Sequence, residues 1–262
     1  MMCKKAVLVV SFGTSYREVI DSCIAPVEKV ISDALPEYDF YRAFTSRMIR
    51  NKLDLCFGVK IDDPVAALGH LKEAGYREVI IQPTHILAGT EYHQLKDQVI
   101  VFGVKNPEMK LIFGQPVLYE NGDYEKAVSA ILPTFPDMEK DTALILMGHG
   151  SEHFSNASYF ALQHYLDVMT KGKVYVANVE APPMLPEVIE KLKINNIKKV
   201  YLTPFMLVAG DHAKNDMAGE DEDSWKNILK KEDIETEIIL KGLGEIEAFR
   251  ELYRIKALRN ID

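Results

Sequence analysis

The sequence predicts an α/β protein of two pseudo-symmetric lobes, each a mostly parallel four-stranded sheet flanked by helices. Three observations predict it. Apolar runs alternate with amphipathic segments along the chain, the order of strand–helix–strand units with right-handed crossovers. Many of the runs are near-continuous in Val, Ile and Leu rather than alternating, as parallel strands covered on both faces require. The two halves also echo each other in register.

In the first half the strand-like runs are KAVLVVSFG (5–13), YDFYRAFTS (38–46), EVIIQPTHIL (78–87) and KLIFGQPVL (110–118). Between the second and third of these, VAALGHLKEAGY (65–76) has helical spacing and closes on Ala-Gly, a C-terminal stop. The second half repeats the order with TALILMGHG (142–150), KVYVANVE (173–180), KKVYLTPFMLV (198–208) and TEIILKGLG (236–244). LPEVIEKLKINNI (185–197) is its matching helix, stopped at Asn195 and Asn196. AVLVVSFGTS (6–15) aligns with ALILMGHGSE (143–152), and REVIIQPTHILAGTE (77–91) with KKVYLTPFMLVAGDH (198–212), proline and Ala-Gly falling together. A duplicated unit explains both matches, with lobes over 1–125 and 126–262 and the join within 121–141.

A chain of 262 residues, 47% hydrophobic and 27% charged, has ample material for such cores. Its net charge of −8 argues against a nucleic-acid partner, although a local basic patch can still receive an anionic small molecule. Cys3, Cys23 and Cys56 are scattered without a CxxC pair, which fits neither a disulfide framework nor a zinc finger. The basic start and short apolar run of MMCKKAVLVVSFGTS make no signal peptide, and no stretch approaches a membrane span. A cytoplasmic protein without a membrane partner is expected.

In open α/β sheets, ligands bind beyond the carboxyl ends of the strands. In the second lobe three successive strands end at His149, Glu180 and the Asp211-His212 pair. Two imidazoles and a carboxylate suit cobalt, nickel, iron or zinc, and three protein ligands leave open positions for a substrate. Each residue also has an ordinary reading: a loop histidine, a solvated glutamate, a helix cap. In the first lobe SFGTS holds Phe12 where His149 stands, an aromatic able to stack on a planar ligand. Thr14 and Ser15 add hydroxyls and a helix-start amide cluster, or simply cap a turn. Arg42, Arg47 and Arg50 in RAFTSRMIRNK suit carboxylates, while Arg47 and Arg50 read equally as a solvated helix face. His85 reads equally as a cleft residue or a core histidine, and Trp225 as a packing anchor.

These segments resemble the anaerobic, CbiK-type sirohydrochlorin cobaltochelatases of the ferrochelatase-like chelatase group. The resemblance rests on VVSFGTSY (9–16), YRAFTSRMI (41–49), MGHGSEH (147–153), NVE (178–180), FMLVAGDHAKNDMA (205–218), DSW (223–225) and GLGE (242–245). It implies a class II chelatase that inserts Co(II) into sirohydrochlorin or precorrin-2 for anaerobic cobalamin synthesis, releasing two pyrrole protons without ATP or an organic cofactor. It implies His149, Glu180 and His212 as metal ligands and catalytic residues, His149 doubling as base and Glu180 orienting it or relaying protons. The tetrapyrrole is expected at Ser11, Phe12, Thr14, Ser15, Arg42, Thr45, His85 and Gly89. Insertion of Fe(II) or Ni(II), or a non-catalytic metal or haem carrier using His93 or His85, are the rival readings. A homo-oligomer stays open.

Overall fold

A computed structural model describes residues 4–261, and Cys3 lies outside them. Up to Tyr119 the chain forms β1 (Lys4–Ser11), α1 (Arg17–Val19), a π-helical turn (Ile20–Ile24), α2 (Ala25–Ala34), β2 (Asp39–Phe44), α3 (Arg47–Phe57), α4 (Pro64–Glu73), β3 (Tyr76–Pro83), α5 (Thr90–Lys105) and β4 (Lys110–Phe113). Beyond it come α6 (Asn121–Ile131), β5 (Thr142–Gly148), α7 (Ala157–Thr170), β6 (Val174–Asn178), α8 (Leu185–Ile194), β7 (Lys199–Pro204), a second π-helical turn (Ala213–Met217), α9 (Trp225–Lys231), β8 (Glu235–Ile238) and α10 (Glu247–Leu258).

The strands make two separate four-stranded sheets, ordered β2-β1-β3-β4 and β6-β5-β7-β8, with every neighbouring pair parallel. Two parallel four-stranded sheets are what the sequence predicts, and both have the same strand order. In the first sheet Ala6, Leu8, Val10, Val79 and Ile81 share one buried cluster with Ala67, Leu68 and Leu71 of α4 and Leu95 and Val99 of α5. In the second, Ala143, Ile145, Met147, Val200 and Leu202 meet Leu185, Val188, Ile189 and Leu192 of α8, and Trp225 is buried there as an anchor. The intervening residues Val7, Val9, Leu144 and Leu146 are buried on the opposite faces, which is why the strands read as continuous apolar runs.

Helix starts follow local chemistry. Asp63 Oδ1 accepts from Val65 N and Ala66 N at 3.0 and 2.9 Å ahead of Pro64 in α4. Ser46 Oγ accepts from Ile49 N at the start of α3, and Gly58 closes that helix at φ +65°.

Two differences from the sequence reading bear on the site. Every expected strand runs past its observed end, by two residues at β1, β2, β5 and β6 and by more at β3, β4, β7 and β8. At β3 and β4 the overrun ends in apolar loop, where Leu87 and Leu118 still pair through a single parallel bridge. The second difference is in the division of the chain. Glu120–Phe249 forms one compact unit, and the described residues up to Tyr119 form the other together with those from Arg250 on. The boundary expected at 125/126 falls inside α6, a helix that begins in a Glu120–Asp123 capping box. The segment from Arg250, expected in the second lobe, packs into the first unit. Tyr253 is fully buried and its hydroxyl donates to the Thr84 carbonyl at 2.9 Å, while Asn260 Nδ2 donates to Gln82 Oε1 at 2.8 Å.

Candidate metal centre

Both sheets place their first strand at the centre, flanked by the second and third. Connections from the two central strands therefore leave in opposite directions and open a crevice at their carboxyl ends. In the second unit that crevice lies after β5 and β7, and His149 and His212 follow those strands.

His149 sits in a turn that only small neighbours permit. A Cβ on Gly148 would stand 2.2 Å from Asn178 Oδ1 and 2.5 Å from Tyr159 Cε1. Gly150 has φ +81°, and a Cβ there would stand 2.7 Å from the Ala181 amide nitrogen. The turn is thereby pressed against the loop after β6. Glu180 N donates to the His149 carbonyl at 2.9 Å, and Val179 N to the Gly148 carbonyl at 3.1 Å. Two asparagines fasten the loops further: Ser151 N donates to Asn156 Oδ1 at 3.1 Å, and Asn156 Nδ2 and Asn178 Nδ2 donate to the Pro182 carbonyl at 2.6 and 3.3 Å.

His212 enters the π-helical turn that follows. Ala213 and Met217 are buried in the core of the second sheet, which leaves His212 and Asp216 on the open side, half-exposed. Insertions of this kind in a helix are frequent at functional sites.

The imidazoles of His149 and His212 lie edge to face, with centroids 4.9 Å apart and planes at 86°. Their acceptors fix the tautomers. His149 Nδ1 is 2.8 Å from the Gly150 carbonyl, which can only accept. His212 Nδ1 is 2.5 Å from Asp216 Oδ2. In each neutral ring the proton therefore resides on Nδ1, and Nε2 carries the free lone pair. A metal-ligating histidine is normally prepared in this way.

Glu180 lies on the other flank of His149, its Oε2 3.6 Å from Nδ1. That is beyond hydrogen-bond range and on the side away from the free lone pair. Accordingly, among the described residues no group of three or more His, Cys, Asp or Glu is already gathered about one point that could hold a metal ion. The structure brings the three sequence-identified residues together as neighbours; Glu180, more than half exposed, reaches Nε2's side only by rotating its side chain. Asp216, inside a quoted motif yet not singled out, is the residue sequence reasoning missed. Its signal is the His-to-Asp spacing of four, which places both on one helical face.

The sequence-identified residues of the first unit fare unequally. Phe12 is half-exposed, and Ser15 and Gly89 keep some surface. Ser11 is buried and its hydroxyl accepts from Thr84 Oγ1 at 2.9 Å. Thr14 is buried with Oγ1 accepting from Tyr16 N at 3.3 Å. Arg42 is turned inward, its Nε donating to buried Glu28 Oε1 at 2.7 Å and a terminal nitrogen to Oε2. Thr45 Oγ1 is buried without a partner, as are both ring nitrogens of His85. Burial pushes the His85 imidazole down to about 4 against a weak opposing pull from Glu91. His93, named for the carrier reading, holds the Gly89 carbonyl through Nδ1 at 2.9 Å.

The family model for cobalt chelatase (CbiK) matches residues 5–261. A sirohydrochlorin cobaltochelatase of Salmonella typhimurium is 38% identical over 250 residues, covering 95% of this chain and 94% of that one. Sirohydrochlorin cobaltochelatase CbiKC of Nitratidesulfovibrio vulgaris is 30% identical over 253 residues, covering 96% and 89%. Among solved structures, SirB from Bacillus subtilis with Fe3+ superposes with a TM-score of 0.69 at 13% identity, covering 98% of this chain and 95% of that one. CbiX, described as the terminal enzyme of sirohaem biosynthesis in denitrifying bacteria, superposes at 0.53 with 15% identity over 97% and 99%. At such identities the structural likeness shows the fold alone.

Proposed function

The chain belongs to the CbiK cobalt chelatase family, and from that premise we propose that it inserts Co(II) into sirohydrochlorin in anaerobic cobalamin biosynthesis. Co(II) replaces the two inner N–H protons of the macrocycle, so each turnover consumes one metal ion and releases two protons, with no redox change and no nucleotide. The observation that carries this reading is the pair of facing histidines at the crevice after β5 and β7, both with Nδ1 tied to an acceptor and Nε2 left as donor.

In this reading Nε2 of His149 and of His212 take the incoming Co(II), and Glu180 swings in as the third, anionic ligand. Once Co(II) has passed to the macrocycle and freed Nε2 of His149, that nitrogen accepts one pyrrole proton and Glu180, its carboxylate returned beside Nδ1, stabilises the imidazolium; this proton and the second pyrrole proton both leave to solvent. Three protein ligands leave positions for the pyrrole nitrogens, so the metal can be handed over without being released. Precorrin-2 is the second candidate macrocycle.

The test is metallation followed by absorbance, under anaerobic conditions, with Co(II), Fe(II) and Ni(II) in parallel. Initial rates should be highest with Co(II), and His149→Ala and His212→Ala should each lower them at least ~100-fold with the fold intact. Full activity in either variant would falsify this site, and a much faster reaction with Fe(II) would reassign the metal.

A further inference from the structure

On the outer side of α3 the structure holds an open depression of about 610 Å3, lined by Arg47, Met48, Asn51, Lys52, Leu55 and Cys56. These positions recur at intervals of one and four, so they form one continuous helical face. Its apolar members are unusually open: Met48 is 75% and Leu55 87% exposed. Large side chains left that bare, on a helix anchored by buried Leu53, mark a surface that meets something. Asp54, the acidic residue of α3, is not among the lining residues.

The cations of this face are uncommitted. Among the described residues Arg47 makes no hydrogen bond or ion pair. Lys52 stands 5.8 Å over the Tyr16 ring, and Arg17 5.8 Å over the Phe57 ring at the far end of the helix. Neither contact neutralises a charge. Arg42 and Arg50, nearby and turned inward, do have carboxylates, Glu28 and Asp63. The face thus combines an apolar strip with a cationic border on a chain of net charge −8. Its near end abuts the exposed Phe12, since Ser46 N donates to the Phe12 carbonyl and Thr45 N to the Ser11 carbonyl, at 3.2 and 2.9 Å.

We propose that the outer face of α3 is a tetrapyrrole-binding surface, with Met48 and Leu55 against the macrocycle and Arg47 and Lys52 on its peripheral carboxylates. This rests on the chelatase reading above and supplies the anion contacts that Arg42, committed to Glu28, does not. A large flat molecule with an apolar centre and a carboxylate rim matches the face in both polarity and arrangement. A nucleic acid or an anionic membrane would demand a broader basic field than these few cations make.

The experiment uses the full chain and varies sirohydrochlorin at saturating Co(II), at low and at moderate salt. In Arg47→Glu/Lys52→Glu the KM for the tetrapyrrole should rise about tenfold and lose most of its salt dependence. Met48→Gln/Leu55→Gln should raise KM while keeping the salt dependence, and Arg47→Lys/Lys52→Arg should restore wild-type behaviour. Co(II) binding without tetrapyrrole, followed by visible absorption, should be the same in all. A wild-type KM and salt dependence in the charge-reversed variant overturns the proposal and leaves the chelatase reading standing. So does a changed oligomeric state with KM unaltered, which would mark a protein contact instead. If the wild-type chain fails to metallate, the chelatase reading falls. The face is then tested by binding of a porphyrin octacarboxylate against its octamethyl ester: equal binding of the two, or equal binding of the acid by wild type and charge-reversed variant, overturns it.

Discussion

A neutral imidazole offers its lone pair from one nitrogen at a time, so a histidine is ready for a metal only when something holds the proton on the other. For His149 that holder is a main-chain carbonyl, which mutation cannot remove. For His212 it is the Asp216 side chain, which can be changed. Asp216→Ala should weaken Co(II) binding and slow metallation by roughly 10–100-fold. Asp216→Asn should cost less, because its amide oxygen still accepts from Nδ1, and titration of Co(II) by visible absorption compares the two. Equal losses in both would show that charge, not tautomer, is what Asp216 contributes. His149, Glu180 and His212 were legible in the sequence because each follows a strand, and strand ends in a parallel sheet converge. The rotation that leaves Glu180 on the Nδ1 side of His149 was not legible, because side-chain torsions of a half-exposed carboxylate leave no trace in residue spacing. Nor was the commitment of Arg42 to Glu28, since their pairing depends on how α2 lies beside β2.

The turn between β5 and α7 exists because two residues lack a side chain. Gly150→Ala adds a Cβ 2.7 Å from the Ala181 amide, in a backbone region where φ is +81°. Strain of this kind costs about 1–3 kcal/mol, to be read from urea unfolding. Metallation should fall further than the stability loss accounts for, because His149 moves with the turn. The eight strands and their pairing of halves could be read from apolar runs and a repeated proline and Ala-Gly. Their carboxyl ends could not, since ILAG and MLVAG stay apolar past the last ladder hydrogen bond and periodicity does not see the ladder. The π-helical turn was hidden for a related reason: an inserted residue shifts the helical period by one position and leaves no composition signal.

Stability of the first unit should depend on pH through His85, whose ring nitrogens are sealed from solvent and unpartnered. Its folded value of about 4 lies below the ordinary 6.5, so between those limits the unfolded chain binds the proton more readily. The contribution is intact above pH 6.5 and is lost as pH falls towards 4, by about 2 kcal/mol between pH 7 and pH 5. Urea midpoints at the two pH values measure it, and His85→Leu should flatten the dependence. An unchanged slope in that variant would assign the acid sensitivity elsewhere. One feature of the division of the chain sets an order of events during synthesis. The unit carrying His149, Glu180 and His212 is a single uninterrupted stretch, Glu120–Phe249, whereas the other unit is closed by a segment from Arg250 on. Translation proceeds from the amino end, so the ribosome has polymerised His149, Glu180 and His212, the proposed metal donors, before it adds Tyr253, whose hydroxyl meets the Thr84 carbonyl of the unit begun first.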